Sequence, residues 1–106
     1  MALTADELVS CMVMFRSLIA TQRLTLNTNN SDKINFITAE INDLAHAIRT
    51  EFTQPFPALT GTEKKLLRDL TGYIIRDISR QECNIDYTEL RYTINYINTN
   101  TRDYPL

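Results

Sequence analysis

The sequence is poor in the residues that build turns, disulfides and catalytic sites. Its 106 residues include only 2 glycines, 3 prolines, 2 cysteines and 1 histidine, and no tryptophan. So little glycine and proline argues against a β-sandwich or β-barrel, which needs a turn about every ten residues. Two cysteines are also fewer than a small secreted disulfide scaffold normally carries. The composition therefore predicts a helical protein with reduced thiols and a cytoplasmic location.

Long hydrophobic runs and a strong excess of one charge are also missing. No apolar run approaches the ~20 residues that a membrane span needs, so we expect no span. We expect no leader either, since the first residues lack a basic and apolar pattern. The formal net charge is -2, from 11 basic and 13 acidic residues, which makes nucleic acid a less favoured partner. We expect a single domain over residues 1–106, because a domain typically has about 100–200 residues.

Apolar residues recur at three- and four-residue steps in four segments, which is the spacing of one helical face. Polar or proline-containing stretches separate these segments. Three of them start with a residue that can cap a helix, Thr4, Thr60 or Asp86, and a glutamate follows three residues later. The predicted helices cover about 4–26, 32–52, 61–80 and 86–98, and a short extended tail covers 99–106. Short connections between four amphipathic helices predict an all-α antiparallel four-helix bundle.

The first predicted helix carries two apolar lines. One line runs through Leu8, Met12 and Phe15 and is expected to face the core. The second lies roughly 120° around the helix, at about 100° per residue. Its members are Val9, Val13, Ala20 and Leu24. Either this helix lies centrally in the bundle or a partner covers the second line, which makes the line a candidate homodimer stripe.

Patterns typical of catalysis and metal binding are missing. His46, the only histidine, lies opposite the apolar seam of the second helix and is predicted to be solvated. Neither Cys11 nor Cys83 has a cysteine or histidine at metal-ligand spacing. There is no glycine-rich phosphate loop either. We therefore predict that the protein is not an enzyme and holds no cofactor or metal.

Basic side chains share one side of the third predicted helix. They are Lys65, Arg68, Arg76 and Arg80. Such a stripe can follow the phosphates of RNA or bind anionic lipid head groups. Asp69 and Asp77 interrupt or flank it, so a solvated face with local ion pairs is the alternative.

Tyrosine and arginine cluster toward the C-terminus. The C-terminal cluster consists of Tyr87, Arg91, Tyr92, Tyr96, Arg102 and Tyr104. Both residue types are favoured at protein interfaces because they combine a large contact area with a polar tip. These residues are therefore candidates for binding a partner protein. The alternative is that the rings pack on the bundle while the hydroxyl groups reach water.

The C-terminal half contains an order of segments that is familiar from one protein family. Residues 66–79 are followed by Asn84-Ile85-Asp86, then by Glu89-Leu90-Arg91 and an aromatic tail. This order resembles the pediocin-like (class IIa) bacteriocin immunity proteins, which are chains of similar length. The resemblance implies an antiparallel four-helix bundle with an extended C-terminal tail. The chain departs from the family in charge, since that family is commonly lysine-rich and basic.

The resemblance also implies a function. It implies a cytosolic, non-enzymatic protein that protects its producer from a pore-forming peptide. In that family protection works through the bacteriocin's membrane receptor, the mannose phosphotransferase permease, and the fourth helix and tail contribute to specificity. The C-terminal cluster would then hold the partner contacts. Two alternatives are a homodimeric adaptor or inhibitor, for example a virus- or phage-encoded one, and a helical RNA-binding protein that uses the basic stripe.

Overall fold

The computed structural model describes residues 3–51, 56–80 and 85–101, and these residues form four α-helices. The helices are α1 (Ala5–Leu26), α2 (Ser31–Glu51), α3 (Gly61–Ser79) and α4 (Thr88–Asn100). No strand occurs in these ranges. The predicted all-α fold and helical bundle are confirmed. None of the helices in the described ranges combines the length and apolarity that a membrane crossing requires.

Helices α1 and α3 begin with the same local device, a capping box. The Thr4 hydroxyl oxygen accepts a hydrogen bond from the Glu7 N–H at 3.1 Å, and the Glu7 carboxylate accepts one from the Thr4 N–H at 3.2 Å. Thr60 and Glu63 repeat this exchange at 3.1 and 2.9 Å. Each box satisfies two backbone N–H groups that have no acceptor within the helix. Both boxes confirm the sequence prediction.

A tight turn joins α1 to α2. Asn29 has a φ of 55°, in the left-handed region that asparagine tolerates better than most residues. The side-chain oxygen of the next residue, Asn30, accepts a hydrogen bond from the Lys33 N–H at 3.2 Å. Asn30 therefore caps the start of α2.

The four helices surround one core, and each of them contacts two others. Helix α1 packs against α2 and α3, and α4 packs against the same two helices from the other side. Helices α1 and α4 therefore lie diagonally across the core. The buried apolar side chains come from all four helices and from the segment that precedes α4: Leu8, Met12, Phe15, Ile19, Ile41, Ala45, Ile48, Leu67, Leu70, Ile74, Ile78, Tyr87, Leu90, Ile94 and Ile97.

A short chain of hydrogen bonds crosses this core. Gln22 is fully buried, and its side-chain oxygen accepts a hydrogen bond from the Tyr87 hydroxyl. The Gln22 amide nitrogen donates to the Thr38 hydroxyl oxygen at 2.9 Å. The Thr38 hydroxyl in turn donates to the Ile34 carbonyl at 2.7 Å. The network joins α1, α2 and the start of α4, and it satisfies polar groups whose burial would otherwise be costly.

The start of α4 differs from the prediction. The helix begins at Thr88, and the N-cap position belongs to Tyr87, which makes no capping hydrogen bond with its side chain. Asp86 instead accepts a hydrogen bond from the Thr88 N–H at 2.9 Å. Glu89 pairs with Arg49 of α2 rather than closing a capping box. The buried contact between the Tyr87 ring and the core fixes this start, which a local pattern does not reveal.

The end of α4 also lies further along the chain than predicted. The helix runs to Asn100, so residues 99 and 100 are helical rather than part of an extended tail. The Thr101 N–H closes the helix by donating to the Ile97 carbonyl at 3.0 Å. The rest of the predicted tail, residues 102–106, lies outside the described ranges.

Candidate interaction surfaces

The second apolar line of α1 lies at the molecular surface. Val13 is 50% exposed and Leu24 is 68% exposed, while Ala20 is exposed and Val9 is half-buried against the core. We call these four residues the α1 flank. Helix α1 contacts only α2 and α3 in the described part of the chain, so it is no more central than the other helices. The structure therefore does not show the central position that one of the two alternatives required.

An arginine connects the α1 flank to α3. Arg16 follows Val13 by three residues, and its guanidinium carbon lies 4.6 Å from the centroid of the Tyr73 ring. The guanidinium carbon of Arg76 lies 5.8 Å from the same centroid. Arginine stacked on a partly exposed tyrosine is favourable through cation–π attraction and is common at protein interfaces. The sequence prediction did not include Tyr73. Its position, one residue before buried Ile74, does indicate that its side chain points away from the core.

Leu66 extends this apolar surface and corrects a sequence prediction. The three- and four-residue spacing of Leu66, Leu70 and Ile74 predicts that Leu66 lies on the buried face of α3, but its side chain is 43% exposed. The core position belongs to its neighbour Leu67, which is fully buried. Since adjacent residues lie about 100° apart on a helix, only one of the two can point into the core.

The basic residues of α3 lie together on its outward face. Lys65, Arg68, Arg76 and Arg80 are all exposed, and we call them the α3 basic stripe. Asp77, predicted to interrupt or flank the stripe, is turned toward α1. There its carboxylate lies 3.9 Å from the Arg23 guanidinium, which also donates to the Asp77 carbonyl at 3.3 Å. Asp69, by contrast, is exposed and lies beside the stripe on α3.

A polar groove of about 450 Å³ runs beside the stripe, between α3 and α4. Its lining residues are Arg68, Asp69, Thr71, Gly72, Ile75 and Asn98. The Thr71 hydroxyl donates to the Asn98 side-chain oxygen at 2.8 Å. The Arg68 guanidinium donates a hydrogen bond to the Thr101 carbonyl at 3.5 Å. This bond keeps the Arg68 side chain along the wall of the groove. A Cβ built at Gly72 would have nothing within 4 Å, so the helix backbone is open to the outside there.

The structure separates the members of the C-terminal cluster. Arg91 and Tyr92 are exposed on α4, and the Arg49 guanidinium carbon lies 4.9 Å from the Tyr92 ring centroid. Tyr96 is half-buried beside Phe56, with their ring centroids 6.0 Å apart. Arg102 and Tyr104 lie outside the described ranges.

Tyr87 does not fit the predicted role in partner binding. Only 5% of it is exposed, and its hydroxyl belongs to the Gln22 network inside the core. The prediction rested on its nearness in sequence to the other tyrosines. The hydrogen-bonding partner lies 65 residues away in sequence, so the local pattern contained no indication of burial.

The titratable side chains offer little reactive chemistry in the described part of the chain. Cys11 is half-buried, and burial, with a smaller contribution from the negative charge of Glu7, raises the pKa of its thiol. The reactive thiolate is therefore disfavoured at neutral pH. His46 is exposed, as predicted, and Cys83 lies outside the described ranges. No group of three or more histidine, cysteine, aspartate or glutamate side chains that could hold a metal occurs among the described residues.

The outer surface therefore carries three features suited to binding: the apolar α1 flank, the α3 basic stripe with its groove, and the Arg91–Tyr92 pair on α4. No protein-family model, curated protein or solved structure matches this chain.

Proposed function

We propose that this protein is a non-catalytic protein-binding module that works as a homodimer through the α1 flank. The observation that carries the proposal is the exposure of Val13 and Leu24 on a helix whose other side forms the core. Large apolar side chains that are exposed along one line of a helix offer a candidate interaction surface. A cytoplasmic location belongs to the same proposal, because the cysteine content is low.

The spacing of the α1 flank supports a second copy of the chain as the partner. The four positions are symmetric about a point just before Ser17, with Val9 and Leu24 as the outer pair and Val13 and Ala20 as the inner pair. In an antiparallel two-fold pairing, Val13 therefore meets Ala20 of the second copy, and Val9 meets Leu24. A two-fold interface requires this kind of self-complementarity. Large side chains opposite small ones allow the helix axes to approach to about 8–10 Å.

The charges along α1 support the same orientation. Asp6 and Glu7 lie in its first turn, and Arg23 lies in its last turn. Antiparallel pairing brings the acidic turn of one copy toward the last turn of the other, where Arg23 also pairs with Asp77 of its own chain, whereas parallel pairing would align like charges. Arg16 lies near the two-fold axis in this arrangement, but its guanidinium stacks on Tyr73 of its own chain.

Light scattering coupled to size exclusion, over a range of protein concentrations, tests the proposal. We expect the unaltered chain to show about twice its 12.3 kDa mass. Val13→Glu and Leu24→Glu should each give monomers, because a buried unpaired carboxylate is costly. Met14→Glu is the matched control, since Met14 is on the same helix and is 52% exposed but lies off the flank. It should leave the dimer intact, and a monomeric unaltered chain at every concentration would contradict the proposal.

A second candidate function follows from α4. Arg91 and Tyr92 are exposed side by side, at positions where the resemblance to bacteriocin immunity proteins puts partner contacts. Expression in sensitive bacteria, followed by challenge with class IIa bacteriocins, tests this function. We expect protection that the Arg91→Ala/Tyr92→Ala double variant loses and that the control Met14→Glu retains. Sensitivity to every peptide of the panel would count against it.

A further inference from the structure

We propose that the α3 basic stripe and its adjoining groove form a site for single-stranded nucleic acid. The proposal goes beyond the homodimer and does not require it. It rests on four features of α3: the accessibility of its cations, the diversion of Asp77, the length of the stripe, and the open groove at Gly72.

The cations of the stripe are available to a ligand. All four side chains are exposed, although Arg68 also donates to the Thr101 carbonyl and Arg76 lies over the Tyr73 ring. Neither contact neutralises a guanidinium charge, and the Asp77 carboxylate faces Arg23 of α1. Asp69 alone remains beside them on α3. The outer face of α3 is therefore electropositive although the chain as a whole has a net charge of -2. Local charge of this kind attracts phosphates even in an acidic protein.

The length and chemistry of the stripe suit a run of phosphates. From Lys65 to Arg80 the stripe extends about 22 Å, at 1.5 Å per residue. That distance spans several phosphates of one nucleic-acid strand. Three of the four cations are arginines, whose planar guanidinium groups bind phosphate oxygens in a bidentate manner.

The groove can accommodate a base of the nucleic acid. Gly72 leaves the helix surface open between Arg68 and Arg76, and partly exposed Ile75 offers an apolar contact. The side-chain amide of Asn98 lies on the far wall and can hydrogen-bond a base edge. Single-stranded nucleic acid presents splayed bases to such a groove, whereas a duplex does not.

The same features favour nucleic acid over an anionic membrane surface. A helix that lies in a membrane interface needs a broad apolar face to insert. The large apolar side chains of α3 are instead mostly buried in the core, including Leu67, Leu70 and Ile74. Three large apolar side chains of α3, Leu66, Tyr73 and Ile75, are exposed, but at about 100° per residue they lie on opposite sides of the stripe and form no continuous apolar face.

Fluorescence anisotropy with a labelled single-stranded RNA of about 20 nucleotides, titrated with the full chain, tests the site. At about 50 mM salt we expect saturable binding whose affinity falls with salt, with a log–log slope of about -2 to -3 for three or four phosphate contacts. Arg68→Glu/Arg76→Glu should weaken binding about ten-fold or more and make the slope shallower by about 1.4. Lys33→Glu/Arg91→Glu is the matched control, because it makes the same charge change on exposed side chains of α2 and α4. It should change affinity by less than about two-fold, since neither side chain belongs to the stripe.

A second variant distinguishes loss of the binding site from misfolding and from loss of the dimer. Gly72→Leu keeps every charge but fills the open groove, so it should weaken RNA binding several-fold while leaving the helical content unchanged. Circular dichroism and solution mass are measured for each variant. Loss of RNA binding with both of these unchanged supports the site.

Four results would overturn the proposal. They are no RNA binding by the unaltered chain, equal losses in the two charge-reversed double variants, equally effective competition by poly-glutamate, and binding to phosphatidylserine vesicles without any binding to RNA. The second and third would show non-specific attraction of polyanions, and the fourth would identify a membrane as the ligand.

Discussion

Helices α1 and α3 are built alike on the inside and differ on the outside. Each starts at a threonine–glutamate capping box and buries a line of apolar side chains in the shared core. On the outward side α1 exposes Val13 and Leu24, whereas α3 exposes four cations and a glycine. The cap and the buried line determine where a helix forms and how it packs. The outward face contributes little to this packing, so its residues can differ between the two helices. The two outward faces therefore suit different ligands.

The largest expected loss of stability comes from truncating a buried side chain of α1. Phe15 is fully buried, so Phe15→Ala should lower the free energy of unfolding by about 3–5 kcal/mol through lost burial and a residual cavity. Met14→Ala changes the adjacent outward position and should cost less than about 0.5 kcal/mol. Urea denaturation at one fixed protein concentration measures both. Equal losses of unfolding free energy in the two variants would contradict the assignment of Phe15 to the buried side of α1 and of Met14 to its exposed side.

A smaller effect is expected in the buried network that ties α1 to α4. Tyr87→Phe removes the hydroxyl that donates to Gln22 and leaves a buried side-chain oxygen without its partner. Such a loss costs about 1–3 kcal/mol. Tyr92→Phe is the control, because Tyr92 is 58% exposed and its hydroxyl can exchange water freely. Thermal or urea unfolding should show a clearly larger loss of stability for Tyr87→Phe than for Tyr92→Phe. An unchanged stability of Tyr87→Phe would show that this hydrogen bond does not stabilise the core.

Sequence patterns predicted the parts of this fold that depend on near neighbours. Thr4 and Thr60 were identified as caps because their partners, Glu7 and Glu63, lie within one turn. The buried line of α1 through Leu8, Met12 and Phe15 followed from the helical period in the same way. The start of α4 was misplaced, because it depends on the contact between Tyr87 and Gln22 across the core.

The candidate surfaces were predictable only in part, for the same reason. Residue spacing alone identified the α1 flank and the α3 basic stripe as faces. It did not reveal that Asp77 turns toward Arg23, since that pairing joins two helices. Nor could it separate exposed Tyr92 from buried Tyr87, because tyrosine is stable in both environments and only the tertiary packing decides between them.

A stabilising substitution is expected on the outward side of α3. Gly72 lies within the helix and a Cβ there would meet nothing within 4 Å. Gly72→Ala should therefore raise the free energy of unfolding by about 0.5–1 kcal/mol, because alanine loses less backbone freedom on folding. In a domain of this size, about 1 kcal/mol raises the melting temperature by about 4–8 °C. A lower melting temperature would show that the outward face of α3 is more crowded than the structure indicates.

The smallest expected effect is a pH dependence at the start of α4. Hydrogen bonds from the Thr88 side chain and N–H lower the pKa of the Asp86 carboxyl from its usual 3.8. The folded state thus favours the charged form, so the stabilisation is complete above about pH 3.8 and is lost as pH falls through the lower folded pKa. Asp86→Asn should therefore lower stability at pH 7 and differ less from the unaltered chain in strong acid. A difference that grows on acidification would contradict the sign.

Disulfide cross-linking between two copies tests the α1 dimer most directly. Ser17 lies next to the expected two-fold axis, so Ser17→Cys in a chain carrying Cys11→Ala and Cys83→Ala should oxidise to a covalent dimer. Met14→Cys in the same background is the control, because Met14 lies off the flank and should remain largely monomeric. We expect a non-reducing gel to show a covalent dimer for Ser17→Cys and not for Met14→Cys. Equal cross-linking of the two variants, or none in either, would contradict it.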